Sequence, residues 1–135
     1  MDTDSVREST VGADPSRSWR VFSVSLCTVL FIFVGILHFA KTPAFLRVMP
    51  PQIPFPLEMV YISGVVEILG GLGLLWKRTR PTSVMVLIAL LVAVFPANIH
   101  MALNPDKFPE IPLWLLYARL PFQIILGLWV WNNRD

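Results

Sequence analysis

The chain has 135 residues, of which 55% are apolar and 15% charged, and its net charge is +2. Soluble globular proteins carry roughly 25% charged residues, so this composition argues against a soluble domain, and so small a net charge with no clustered basic face argues against a nucleic-acid partner. The single cysteine, Cys27, excludes an internal disulfide, a CxxC redox pair and a multi-cysteine metal site.

Residues 1–18 (MDTDSVRESTVGADPSRS) are polar and mixed in charge, and read as a disordered cytoplasmic tail ahead of one membrane domain over 19–135. The first apolar block covers about 19–40. A spanning helix needs about 20 apolar residues, because it rises about 1.5 Å per residue through a hydrocarbon core of about 30 Å. Arg17 and Arg20 precede the block as they would a signal peptide. The stretch is too long for a typical signal sequence, however, and no small-x-small site follows it, so a retained helix is expected.

Next comes KTPAFLRVMPPQIPFP, residues 41–56, with Pro50, Pro51, Pro54 and Pro56 in seven positions. Those prolines forbid a continuous helix. Phe45, Leu46, Val48, Met49, Ile53 and Phe55 are nevertheless apolar, which places the segment in the interface or folded back over the bundle mouth. A second block at about 57–76 carries Gly64, Gly70, Gly71 and Gly73; the third covers about 82–103 and the fourth about 111–132. Pro81 and Pro112 stand at helix starts, where a missing N–H costs nothing. Trp19, Trp76, Trp114, Trp129 and Trp131 fall near the ends, as an aromatic belt requires. The expected fold is all-α, a four-helix transmembrane bundle with a proline-rich outer loop between its first two helices.

Arg7, Arg17, Arg20, Lys77, Arg78, Arg80 and Arg134 lie on one side of the spans, and Lys41, Arg47 and Lys107 on the other. The positive-inside rule then places both termini in the cytoplasm.

Ionisable groups inside spans are rare and mark functional sites by default. Here they are Glu67 in the second span and Arg119 in the fourth, accompanied by Gln123, Asn98, His38, His100 and Glu58. Counting about 1.5 Å per residue from the outer boundary puts Glu67 about 15 Å deep, Arg119 about 12 Å and Gln123 about 18 Å. By the same rise Asn98 sits at about 8 Å, with His38, Glu58 and His100 near the outer mouth. Ser63, Gly64, Glu67, Gly70 and Gly71 share one helix face, and Arg119 and Gln123 share another. A buried carboxylate needs a cation or a proton, so a Glu67–Arg119 ion pair supported by Gln123 is expected. Such a pair either fixes helix register or belongs to a ligand site. The glycines read as close-packing positions before a ligand floor. Two histidines, His38 and His100, with one distant carboxylate and no tight spacing make only a weak zinc signal, and interfacial hydrogen bonding is the favoured reading for them. Pro96 and Pro121 are expected to kink their helices and expose carbonyls one turn back. The cytoplasmic half reads as almost purely apolar.

The stretches GILHF (35–39), PPQIP (50–54), SGVVEILGGLGLL (63–75), FPANIHMA (95–102) and ARLPFQ (118–123) resemble the DoxX-like membrane proteins, in an order that covers roughly residues 20–133. The resemblance implies a four-helix protein of the bacterial cytoplasmic membrane, related to subunits of quinone-dependent sulfur oxidation and of redox-stress complexes. His38, Glu67, Asn98, Arg119 and Gln123 match family positions. On this reading the chain is a redox-associated membrane subunit that binds a quinone or another lipophilic ligand in the outer half. The alternative is a non-catalytic scaffold whose polar cluster is structural. A transporter ranks last, since four helices without inverted repeats leave little room for a pathway. No haem, cysteine or nucleotide motif marks a cofactor of the chain's own, so a redox centre would sit on another subunit. The partners expected are membrane lipid, membrane or redox proteins and further copies of the chain.

Overall fold

The structure is a computed structural model and describes residues 15–135. The expected tail falls mostly outside these residues. Its last four, 15–18, are helical, which corrects the expected start at Trp19. Pro15 opens helix α1 (Pro15–Ala40), where its fixed φ suits the first turn, and nothing breaks the helix until Ala40.

The proline-rich segment is not wholly irregular. Thr42–Val48 form a short helix, α2, whose proline lies in the first turn. Thr42 Oγ1 donates to the carbonyls of His38 (2.8 Å) and Phe39 (3.1 Å), satisfying acceptors that the end of α1 leaves open. Met49 then turns extended and the prolines carry the chain to α3 (Pro56–Gly73). Phe55 adopts the left-handed conformation, with φ 52°. The residue before a proline is driven out of the right-handed helical region, and Phe55, as the N-cap residue of α3, takes the left-handed alternative. α4 (Arg80–Leu103), a short 3-10 turn (Pro105–Lys107) and α5 (Leu113–Asn132) complete the chain.

α1, α3, α4 and α5 are each long and apolar enough to cross a membrane. Their mid-helix residues Leu69, Val92 and Ile125 stand more than half exposed, as lipid-facing side chains do. α1 packs on α3, α3 on α4 and α4 on α5, whereas α1 and α5 share almost no close backbone approach.

The α1–α3 seam is tight because glycines face it. A Cβ on Gly64 would stand 2.9 Å from His38 Cβ and 3.1 Å from the Gly35 carbonyl, so only hydrogen fits there. Two apolar clusters hold the bundle. One gathers Val24, Cys27, Phe31, Leu74, Val84, Leu87 and Val130 towards the chain termini. The other, Met101, Phe108 and Leu116 with Val48 and Ile111 against it, lies at the opposite end.

The terminal end is not purely apolar, contrary to the sequence expectation. Ser23 Oγ donates to Asn133 Oδ1 at 2.9 Å and accepts from Trp129 Nε1 at 2.8 Å. Trp129 therefore turns inward, while Trp19, Trp76, Trp114 and Trp131 remain exposed.

Candidate functional site

Between the two apolar clusters lies a cavity of about 630 Å³. Each helix contributes a face with helical periodicity: Leu30, Phe31, Val34 and His38 from α1; Leu90, Leu91, Val94, Ala97 and Asn98 from α4; Leu115, Ala118, Arg119, Phe122, Gln123 and Leu126 from α5. α3 contributes Glu67, and α2 closes one end with Phe45 and Val48. The walls are thus apolar except for five side chains.

Those five are His38, Glu67, Asn98, Arg119 and Gln123. His100 is not among the lining residues; it faces Asn104, whose Nδ2 lies 3.3 Å from its Nδ1. Glu58 is exposed on the first turn of α3. Among the described residues, no group of three or more His, Cys, Asp or Glu is placed to hold a metal ion.

The pairing differs from the one expected. Glu67 meets His38, with Nδ1 3.5 Å from Oε2, and no ion pair joins it to Arg119 among the described residues. The reason lies in side-chain direction. A helical side chain leans back towards the N-terminus of its helix, and the His38 ring does so far enough for Nδ1 to lie 2.9 Å from the Val34 carbonyl. The ring therefore reaches deeper than its place on α1 suggests, and the Gly35–Gly64 contact brings α3 close enough to meet it. A carbonyl only accepts, so Nδ1 carries the hydrogen and a neutral His38 keeps Nε2 as an acceptor. The ring stacks on Phe45 with centroids 4.0 Å apart, which ties α2 to the site.

Gln123 does not serve Glu67 either. Its Oε1 accepts from Asn98 Nδ2, and its Nε2 donates to the carbonyl of Leu91, in the turn before Pro96. These contacts bind α5 to α4, engaging the Gln123 amide at both its oxygen and its nitrogen and Asn98 through one Nδ2 donor. Arg119 has one polar partner among the described residues, Met101 Sδ, 3.6 Å from Nη1. A thioether is a weak acceptor. The guanidinium thus borders the cavity with most of its donor capacity unspent.

Above the cavity the proline-rich segment is fastened from outside the spans. Arg47 on α2 bonds both carboxylate oxygens of Glu110, donates to the Lys107 carbonyl at 2.7 Å and lies 5.2 Å from the Phe108 ring centroid. That bonding holds the Glu110 carboxyl below its ordinary value and raises Arg47. Sequence reading did not anticipate this contact, which joins residues 63 positions apart.

Four apolar spans around a partly polar cavity define a multi-pass membrane protein. Residues 27–134 match the family described as a domain of unknown function, DUF8561, and the chain belongs to that family. No curated protein and no solved structure matches the chain.

Proposed function

We propose that this chain is a redox-associated membrane subunit whose cavity binds a lipophilic molecule with a polar head group. The observation that carries the reading is the convergence of five polar side chains from four helices on one otherwise apolar chamber of about 630 Å³. Small-molecule sites are typically about 300–1,000 Å³, mostly apolar, with a few placed polar groups. A quinone is one such molecule, and the DoxX-like motifs favour that class and a redox partner in the bacterial cytoplasmic membrane. The chain's own contribution is to bind and orient; the electron-carrying centre belongs to the partner.

A scaffold is the second reading. It draws on the Asn98–Gln123–Leu91 contacts and the glycine seam, which lock helices without needing a ligand.

The test is extraction. Purified full-length protein is analysed for co-purifying lipophilic molecules, beside a Val94→Trp variant that narrows the cavity without replacing any of its polar groups. Near-stoichiometric enrichment in the wild type, several-fold reduced in a variant of unchanged helical content, supports ligand binding. An extract no different from bulk membrane lipid overturns it and leaves the scaffold.

A further inference from the structure

Each polar group in the cavity can be asked what it still lacks. Asn98 and Gln123 bond each other, and Gln123 also reaches the Leu91 carbonyl. Glu67 faces His38. Arg119 alone has no oxygen acceptor among the described residues, only the Met101 sulfur. A cation within a span normally pairs with an anion or lines a polar cavity, because leaving it unpaired in a low-dielectric interior is costly. The protein supplies that partner neither from Glu67 nor from any other carboxylate in the cavity lining.

We propose that the cavity takes a single-chain amphiphile with a carboxylate head, and that Arg119 binds that carboxylate. The inference rests on the lipophilic-ligand reading above and chooses within it. A planar carboxylate matches the guanidinium fork in a bidentate, charge-assisted pair. A single negative charge neutralises the Arg119 guanidinium. A doubly charged phosphate head would leave an excess charge facing Glu67, which borders the same cavity. Leu90, Val94, Leu115, Phe122 and Leu126 supply apolar walls against which a hydrocarbon chain can pack. The bilayer is the source: away from the terminal end, where Ser23 and Trp129 join them, α1 and α5 share almost no close backbone approach, and Phe122 both lines the cavity and is 62% exposed.

The test compares hexadecanoic acid, its methyl ester and a short-tailed benzoquinone, each at the same mole fraction, on full-length protein in detergent at pH 8, where the acid is ionised. Acid and ester share a chain and differ in charge. The wild type is expected to bind the acid at least tenfold more tightly than the ester, with the quinone nearer the ester. Arg119→Gln is expected to bring the acid-to-ester ratio to about one, and Arg119→Lys to retain part of it, since a point charge replaces the fork. Equal binding of acid and ester by the wild type overturns the carboxylate anchor while leaving the cavity a lipophilic site. So does a quinone bound more tightly than the acid. Binding of none of the three overturns both readings. The decisive ratio is measured on the wild type, so it stands even if Arg119→Gln does not fold.

Discussion

Which partner a carboxylate meets in this bundle is decided by side-chain direction as much as by depth. Counting residues from the outer boundary places Glu67 and Arg119 near one level, and both do border one cavity. Level is only one coordinate, however. The azimuth of each side chain, and its lean back along its helix, are set by packing that a single sequence does not display. His38 belongs by count to the mouth, yet its ring leans back and meets Glu67. Trp129 and Ser23 were illegible for a related reason. Each is unremarkable at its position, and only the folded bundle brings them together with Asn133. The glycines were more legible, because small residues at helical spacing predict a close seam. They yield a paired prediction. Gly64→Ala would put a Cβ 2.9 Å from His38 Cβ and 3.1 Å from a backbone carbonyl, neither of which can easily move. Overpacking of that kind costs about 1–3 kcal/mol. Gly127→Ala meets only Leu91 Cδ1, at 3.9 Å. It is expected to be neutral or to gain up to about 1 kcal/mol from helix propensity. Thermal unfolding in detergent reads both, with Gly64→Ala lowering Tm and Gly127→Ala leaving it or raising it.

Among the elements, the four spans were plain in the sequence because each is a long apolar run bounded by proline, charge or tryptophan. α2 was not, since the prolines that follow it dominate the segment and seven residues give too short a pattern to recognise. What makes α2 consequential is its attachment. Val48 packs against the apolar cluster of Met101, Phe108 and Leu116, Phe45 stacks on His38, and Arg47 reaches Glu110 across the connection between α4 and α5. The pair is half-exposed, so its contribution is modest and sensitive to salt. Its pH dependence has a definite sign. Glu110 has a folded value below its ordinary 4.5, so its stabilisation is complete above that ordinary value. It is lost as pH falls through the lowered value and the carboxylate is protonated. Tm measured from pH 6 down to pH 3 should therefore fall more steeply in the wild type than in Glu110→Gln or Arg47→Gln, which lack the pair throughout. Parallel profiles for all three would show that the pair contributes nothing to holding α2.

For the whole molecule, the two ends of the bundle differ in charge and in what they fasten. Arg20 and Arg80 converge on Asp135 at the terminal end, where Arg80 Nη1 donates to its carbonyl at 2.8 Å and Arg20 Nη2 lies 3.9 Å from its carboxylate. Lys77 and Arg78 lie exposed in the nearby connection, between α3 and α4. At the other end Arg47 is committed to Glu110, and Lys41 and Lys107 are the remaining lysines or arginines outside the spans. Orientation depends on lysine and arginine near the span ends and hardly on acidic residues. Pairing with Asp135 or Glu110 therefore does not change the count, and the richer end should remain inside. A reporter that is active only outside the cytoplasm should then be silent when fused after Asp135 and active when inserted in the connection at 104–110. The opposite pattern would invert the bundle. It would also turn α2, its latch and the cavity beneath them towards the cytoplasm, so that a ligand headed by a carboxylate would have to be supplied from the inner leaflet.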